Sequence, residues 1–163
     1  MFLIERPIDL FTLPNEYMLA HCISADYVLG AGIARQFRTR YKMNMWLRMT
    51  GTTFKWGGVG RCVIINLTDD FKMTTAAKGV FRVANLVTKE AFWHKPTHET
   101  IRESLISLRN QLMSKPDYKN VHRIGMPRIA CGLDSKKWAD IRQIIEEVFD
   151  NTEYEICVCT GEI

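Results

Sequence analysis

Lys89 and Asp134 are the two residues whose types and positions could together perform covalent chemistry. Lys89 directly follows an apolar run at residues 80–88, and Asp134 ends a glycine-containing loop at residues 130–134. Partial burial at the end of such a run favours the neutral amine of a lysine, which can attack an electrophilic carbon and give a Schiff-base-type intermediate. A carboxylate beside it could move the protons. The alternative is that Lys89 is a solvated strand-end charge and Asp134 caps a helix that begins near Ser135.

A glycine-rich turn at residues 30–32 could bring backbone amides close to a phosphate. Gly30 and Gly32 flank Ala31 just before a stretch of good helix formers. Glycine has no Cβ and tolerates positive φ, so the N–H groups of this turn can approach an anion. A packing turn would show the same two glycines, and the three-glycine dinucleotide fingerprint is absent. Because the loop at 130–134 follows another apolar run, the two loops together favour a pyrophosphate site.

The histidines do not indicate a metal. His94 and His98 are four residues apart, but Pro96 lies between them and the sequence offers no third ligand. We therefore predict neither a metal site nor a cofactor. His21 lies within an apolar segment, where a hydrogen-bonded core histidine is more typical than a catalytic base.

The cysteines and the tryptophans can both be explained as residues that pack in the core. The chain has five cysteines and no Cys-x-x-Cys pair, so we expect reduced, buried thiols, and Cys157 and Cys159 would share one strand face. Three tryptophans could stack on a base or adenine, and could equally be core or lid residues. They are Trp46, Trp56 and Trp93.

Length and composition indicate one ordinary globular domain spanning residues 1–163. The chain is 47% apolar and 25% charged, fractions typical of a globular protein and not of a disordered or membrane protein. The apolar start meets Glu5 and Pro7 before a signal-peptide core could form, and no apolar run approaches the length of a membrane span. We expect a monomer that does not enter membranes and resides in the cytoplasm, or in nucleus and cytoplasm if the source is a eukaryote.

Positive charge is concentrated in one acid-free stretch at residues 27–68. The net charge is only +4, yet this stretch holds seven basic residues and no Asp or Glu. They are Arg35, Arg38, Arg40, Lys42, Arg48, Lys55 and Arg61. Such a stretch could attract a polyanion, such as a pyrophosphate, a nucleic acid or an acidic protein, or it could be a solvated helix face.

Alternating strand and helix patterns must position these residues. Apolar and β-branched runs predict strands at 17–23, 61–68, 80–88, 121–130 and 154–159, with a polar surface excursion at 69–79. One helix begins after Gly32, a second follows Thr97, and a third includes Trp138 and Phe149. The second helix has its apolar residues at spacings of four, three and four, namely Ile101, Leu105, Leu108 and Leu112.

This alternation predicts an α/β fold with helices on a mixed sheet. Ligands in such folds bind beyond the carboxyl ends of the strands, near helix N-termini. Residues 24–34 and 126–134 are the two segments of that kind.

Six blocks of sequence, in order along nearly the whole chain, resemble one family. They are LAHCIS at 19–24, GAGIA at 30–34, LVTK at 86–89, HKPT at 94–97, MPRIACGLD at 126–134 and IEEVF at 145–149. The blocks resemble the macrodomains, three-layer α/β/α modules that bind ADP-ribose, and specifically the subgroup of the terminal ADP-ribose protein glycohydrolase. The Asn-rich loop of the commonest hydrolytic macrodomain class is missing, so its water-activating chemistry is not carried over.

The resemblance implies roles for particular residues. Lys89 and Asp134 match the catalytic pair of the subgroup. Asp9 matches the acid that accepts the adenine amino group, although Pro7 and Ile8 stand where the family has a glycine before it. The residues expected to contact ADP-ribose are Asp9, Leu10, His21, Ser24, Gly30, Ala31, Gly32, Ile33, Ile129, Ala130, Cys131, Gly132 and Leu133.

Three functions are compatible with this resemblance. The first is a hydrolase that uses Lys89 and Asp134 to remove ADP-ribose from a protein carboxylate or a nucleobase. The second is a phosphatase that acts on ADP-ribose 1″-phosphate in the same pocket. The third is a module that only binds ADP-ribose and needs neither residue. The expected partners are ADP-ribose and ADP-ribosylated protein, with ADP-ribosylated nucleic acid as an alternative suggested by the basic stretch.

Overall fold

Strands and helices alternate through residues 1–50, 58–74 and 81–161, which are the residues that this computed structural model of the protein describes. The described part of the chain contains six strands: β1 (Phe2–Arg6), β2 (Tyr17–Ser24), β3 (Arg61–Leu67), β4 (Phe81–Lys89), β5 (Arg123–Met126) and β6 (Glu155–Cys159). Its helices are α1 (Gly32–Tyr41), α2 (Met43–Met49), α3 (His98–Ser114) and α4 (Trp138–Val148). Two short 3₁₀ helices occupy Leu10–Thr12 and Pro116–Tyr118.

The strands form one mixed sheet in the order β1-β6-β5-β2-β4-β3. β3 pairs antiparallel with β4, and every other neighbouring pair is parallel. The central strands β2 and β4 are buried along almost their whole length, because helices cover both faces of the sheet. The α/β prediction with a mixed central sheet is confirmed.

Two hydrophobic cores lie on opposite faces of this sheet. α3 and α4 pack over one face, where Leu105 and Ile145 are fully buried. α1 and α2 pack over the other face, where Phe37 and Leu47 are fully buried. The helices and the sheet therefore form three layers, and the sheet edge between the two cores is left open for a ligand.

The predicted elements agree with the observed ones apart from three differences. The sequence did not indicate β1 or α2. The strand predicted at 121–130 ends at Met126, because Pro127 cannot donate a ladder hydrogen bond. In the excursion predicted at 69–79, Met73 forms a single bridge to Leu67, and residues 75–79 lie outside the described residues.

Over the ranges that the structure describes, every helix is too short or too polar to traverse a lipid bilayer.

Candidate functional site

The carboxyl ends of β2, β4 and β5 meet at one edge of the sheet because these three strands are parallel. Ser24 ends β2 and Lys89 ends β4, and the two residues are paired across the strands. The register shifts between Ile23 and Ser24, so β4 carries one extra residue at Thr88. This bulge brings Lys89 level with Ser24 at the sheet edge.

A cavity of about 750 Å³ opens at this edge. Its walls come from the loop after β2, the start of α1, the segment after β4 and the loop after β5. The described residues that line it are Cys22, Ile23, Ser24, Val28, Leu29, Gly30, Ala31, Gly32, Ile33, Ala34, Lys89, Phe92, Lys95, Pro127, Arg128, Ile129, Ala130, Gly132, Leu133 and Asp134. Both loops predicted to bind pyrophosphate therefore face the same space.

The loop between β2 and α1 is held in shape by Asp26. Its Oδ1 atom accepts hydrogen bonds from the Ser24 hydroxyl (2.5 Å) and from the Val28 N–H (3.1 Å). Tyr27 and Leu29 both have positive φ, a conformation that non-glycine residues adopt only when the surrounding structure holds them. The loop is therefore fixed in advance of ligand binding.

The N-terminus of α1 points its free backbone donors at the cavity. Among the described residues no side chain caps this helix, and its first turn holds no acid. The N–H groups of Gly32, Ile33 and Ala34 therefore lack helical partners, and the helix dipole adds a partial positive charge. An anion such as a phosphate fits this position.

Lys89 and Asp134 form an ion pair inside the cavity. The Lys89 Nζ atom lies 2.7 Å from Asp134 Oδ1, and the two side chains are only 15% and 12% exposed. Asp134 does not cap a helix, because α4 begins at Trp138 with Lys137 as its N-cap. The pair places a nucleophile and a proton carrier within hydrogen-bond distance of each other, as acid–base catalysis requires.

Cys22 also lines the cavity but is unsuited to nucleophilic attack. Burial raises the pKa of its thiol to about 12, and the negative charge of Asp134 acts in the same direction. At neutral pH the residue stays a thiol, whereas the thiolate is the reactive form. Lys89 is therefore the stronger nucleophile candidate in this cavity.

The loop after β5 forms the opposite wall. Ala130 has a φ of 60°, and its carbonyl accepts a hydrogen bond of 2.8 Å from the N–H of Lys136, which closes the loop. Lys95 donates from Nζ to the carbonyl of Leu133 (2.6 Å), so this loop is joined to the segment after β4.

Not every residue implied by the family resemblance lies at the cavity. Lys89, Asp134, Ser24, Gly30 to Ile33, Ile129, Ala130, Gly132 and Leu133 line it, whereas the lining formed by described residues does not include Asp9, Leu10, His21 or Cys131. Asp9 accepts a hydrogen bond from the Phe11 N–H and starts the first 3₁₀ helix, and Leu10 is buried. The Cys131 thiol contacts the Ile129 carbonyl.

His21 is a core residue. It is fully buried, its ring stacks on Phe37 with 3.9 Å between centroids, and its Nε2 atom lies 2.6 Å from Asn85 Oδ1. Because the Asn85 amide nitrogen donates to the Val63 carbonyl, Oδ1 is the acceptor and His21 Nε2 carries the proton. Burial lowers the pKa of His21 to about 4, so its imidazole is neutral at physiological pH.

The three tryptophans proposed as stacking residues lie in different surroundings, and among the described residues the metal candidates form no cluster. Trp46 packs against the α1 and α2 core and donates to the Tyr41 carbonyl, Trp93 is exposed beside the cavity, and Trp56 lies outside the described residues. Within the described ranges no group of three or more His, Cys, Asp or Glu side chains could hold a metal ion.

Four of the basic residues from the acid-free stretch lie on or beside α1. Arg38 donates to the Val28 carbonyl of the first ligand loop, and the guanidinium of Arg40 lies 4.2 Å from the centre of the Phe11 ring. Lys42 ends α1 in a left-handed conformation. Arg35 and Arg40 line a shallow groove that meets the cavity at Gly32. Lys55 is outside the described residues.

Several lining residues had no individual signal in the sequence. Phe92, Lys95 and Arg128 reach the cavity only because β4 and β5 end at the same edge. Lys95 and Arg128 belong to the HKPT and MPRIACGLD blocks, which could have suggested them. Phe92 belongs to neither block.

Comparisons with known proteins agree with this geometry. No family model matches the chain. The ADP-ribose glycohydrolases OARD1 of Homo sapiens and Bos taurus are each 35% identical over 153 residues, which cover 93% of this chain and 87% of the relative. The macrodomain of Thermus aquaticus DarG superposes with a TM-score of 0.77 at 21% identity, covering 97% of each chain. The chain belongs to the macrodomain family, in the group that contains the OARD1 glycohydrolases.

Proposed function

We propose that this protein is an ADP-ribosyl hydrolase that holds ADP-ribose in the cavity and releases it from a modified macromolecule. The observation that carries the proposal is the 2.7 Å pair of Lys89 and Asp134 inside a cavity that also holds the open N-terminus of α1. A site built only for binding would need the phosphate donors but not a semi-buried lysine–carboxylate pair. The name of the OARD1 relatives, ADP-ribose glycohydrolase, describes the same reaction.

The pyrophosphate of the ligand binds where backbone donors converge. The N–H groups at the start of α1 form one side and the loop at residues 129–133 forms the other. Gly32 lets the pyrophosphate approach the backbone closely because it has no side chain. A side chain at this position would contact Leu133. The ribose that bears the macromolecule then lies toward Lys89.

The pair divides the chemistry between its two members. Asp134 takes a proton from the Lys89 ammonium, and the resulting amine attacks the anomeric carbon of the distal ribose. The bond from that carbon to the acceptor breaks, and the acceptor leaves with a proton. Ring opening gives a Schiff base between Lys89 and ADP-ribose. Water then adds to the imine, and its collapse releases ADP-ribose and restores the lysine.

Replacing each member of the pair tests this mechanism. We expect Lys89→Ala and Asp134→Ala to lower kcat on glutamate-linked ADP-ribosyl peptide by about 10²-fold or more, because acid–base and nucleophilic contributions are each of that order. Calorimetry should give a Kd for free ADP-ribose close to that of the wild type. Lys119→Ala and Asp117→Ala provide matched controls, since both residues are exposed and lie in or next to the second 3₁₀ helix.

The same variants separate the alternative functions. Binding of ADP-ribose without turnover of any substrate would identify a pure binding module. A phosphatase that does not use the lysine would release phosphate from ADP-ribose 1″-phosphate at the same rate in both variants as in the wild type.

The acceptor on the macromolecule is a carboxylate or a nucleobase. The basic groove of Arg35 and Arg40, which meets the cavity at Gly32, supports a nucleic-acid acceptor because it offers charge to a phosphate backbone. We propose that the protein acts as a monomer, because Lys89, Asp134 and both ligand loops belong to one chain and need no second copy to complete them.

A further inference from the structure

Two aromatic side chains stand exposed beside the cavity. Phe92 and Trp93 are 58% and 69% exposed, and their rings meet edge to face with 5.0 Å between centroids. Phe92 lines the cavity three residues after Lys89. Large aromatic surfaces are usually covered in a folded protein, so an exposed pair at the rim of a ligand cavity indicates a contact surface.

This pair is held in place by bonds to both ligand loops. Asp26 Oδ2 accepts a hydrogen bond of 2.8 Å from the Phe92 N–H, which joins the segment to the loop after β2. Lys95 Nζ donates to the Leu133 carbonyl, which joins it to the loop after β5. The His94 Nδ1 atom accepts from the Ala91 N–H, closing the turn between them. The rings therefore project from a fixed backbone.

The position of the pair relative to Lys89 assigns it to the acceptor side. Lys89 must face the carbon that carries the acceptor, so the acceptor lies on the lysine side of the distal ribose. Phe92 lines the cavity three residues after Lys89, and its N–H donates to Asp26 in the loop after β2. Because both rings are exposed, they would meet the part of the macromolecule that extends beyond the residue attached to ADP-ribose.

We propose that Phe92 and Trp93 form an acceptor subsite in which unpaired bases of a single-stranded nucleic acid stack next to the ADP-ribosylated nucleotide. The inference rests on the proposed hydrolase function and names the residues that select its acceptor. Aromatic side chains bind bases of any sequence by stacking, provided that basic groups nearby hold the backbone.

The charges around the pair favour a polyanion. Lys95 and Arg128 line the cavity, and the groove with Arg35 and Arg40 joins it at Gly32. Of the acids close by, Glu5 is paired with Arg128 and Asp134 with Lys89, and both oxygens of Asp26 accept hydrogen bonds. Among the described residues, the unpaired cations here are therefore those of the α1 groove. Glu90 is the one acid in the sequence of residues 90–97. An acidic peptide could pair with the cations but has no bases to stack on the two rings, whereas a polynucleotide can use both.

Three substrates of increasing acceptor size test the subsite. They are an ADP-ribosylated nucleoside, a single-stranded DNA oligonucleotide with one ADP-ribosylated base, and a glutamate-linked ADP-ribosyl peptide. We expect Phe92→Ala and Trp93→Ala each to lower kcat/KM on the oligonucleotide about tenfold, the size of one lost base stack. Rates on the nucleoside and peptide, and the Kd for free ADP-ribose, should stay within about twofold of the wild type, because they do not use the lost stack. Trp93→Phe should restore most of the loss, and Phe2→Ala, an exposed aromatic on β1, is the matched control.

Trp93 fluorescence gives a readout that does not depend on turnover. Oligonucleotide carrying ADP-ribose should quench tryptophan emission of the Lys89→Ala protein, and the quenching should be lost when Trp93→Phe is added. If the wild type hydrolyses none of the substrates, the proposed function is wrong. The quenching test would still show whether Trp93 contacts the oligonucleotide.

Three results would overturn the subsite. Equal losses on the oligonucleotide and in free ADP-ribose binding would place the rings against ADP-ribose itself. A loss confined to the peptide would make the acceptor a protein. Unchanged rates on all three substrates would show that the exposed pair has no role in acceptor binding.

Discussion

Gly32, at the start of α1, lies against Leu133 of the second ligand loop. Its φ is +59°, and a Cβ added there would lie 3.3 Å from Leu133 Cδ1. A side chain at this position is disfavoured both by the backbone conformation and by its neighbour. The glycine therefore sets the width of the phosphate site between the loops.

We expect Gly32→Ala to weaken ADP-ribose binding about tenfold and to destabilise the fold by about 1 kcal/mol, the usual cost of a left-handed non-glycine residue. Calorimetry and urea unfolding measure the two effects. Gly58→Ala is the control, because a Cβ at Gly58 meets nothing within 4 Å in the described structure and Gly58 is not among the residues that line the cavity. Equal losses in both variants would mean that the width at Gly32 does not limit binding.

At the residue scale, the structure brings Lys89 and Asp134 within 2.7 Å of each other. The two residues were recognisable through the family resemblance, because their positions alone were equally compatible with a solvated strand-end charge and a helix cap. Asp26 and Phe92 were not, since their roles depend on a hydrogen bond between residues 66 positions apart in the chain. His21 is the hydrogen-bonded core residue that its apolar segment predicted, but it does not line the cavity as the family resemblance implied.

At the scale of elements, Asp26 connects the loop after β2 to the segment after β4. Its Oδ1 atom serves Ser24 and Val28, and its Oδ2 atom serves Phe92. One side chain thus fixes both the phosphate loop and the aromatic pair. The two functions can be separated, because each depends on a different oxygen.

We expect Asp26→Asn to keep the first loop and release the second, since its amide oxygen still accepts hydrogen bonds while its NH₂ group cannot accept from Phe92. Free ADP-ribose should bind as in the wild type, whereas kcat/KM on the ADP-ribosylated oligonucleotide should fall about fivefold to tenfold, the equivalent of one lost hydrogen bond. Asp26→Ala should weaken both. Identical ADP-ribose affinities in the Ala variant and the wild type would show that the loop holds its shape without Asp26.

The elements that the sequence missed have weak local signals. β1 is an edge strand with alternating exposed and half-buried residues, so only its pairing with β6, more than 150 positions away, makes it a strand. α2 is seven residues long, too short for periodicity to show. α3 was predicted because the apolar residues after Thr97 recur at helical spacing along one face, and the structure adds that Thr97 caps it with a capping box. Strand order could not be read from the sequence, since β1, β5 and β6 meet through long crossovers.

At the scale of the whole molecule, the two cores differ in polarity. Within the described residues, the buried polar side chain of α3 is Ser104, which bonds to a carbonyl of its own helix, whereas the α1 and α2 side contains the buried His21–Asn85 pair beside Phe37. The Nδ1 atom of His21 has no hydrogen-bond partner in the described ranges. A second proton on this ring would be buried without a partner, so protonation must disrupt the core beneath the ligand loop.

This pair makes the stability of the fold depend on pH. The unfolded chain protonates His21 near pH 6.5, whereas burial lowers its pKa in the folded protein to about 4. Between these values unfolding takes up a proton, so the free energy of unfolding falls as pH decreases. Keeping His21 neutral and buried costs the fold nothing above pH 6.5. As the pH falls from 6.5 to 4, the free energy of unfolding decreases by roughly 3 kcal/mol.

We expect urea unfolding between pH 4 and 7 to show this loss in the wild type and a shallower pH dependence in His21→Gln. A glutamine can still donate to Asn85 Oδ1 but does not titrate. The variant therefore keeps the hydrogen bond and removes the titrating group. His122→Gln is the control, because His122 is exposed and its replacement should leave the slope unchanged. Carboxylates titrate equally in all three proteins, so the difference in slope belongs to His21. Parallel curves for the wild type and His21→Gln would show that the buried ring is already free to protonate in the folded state.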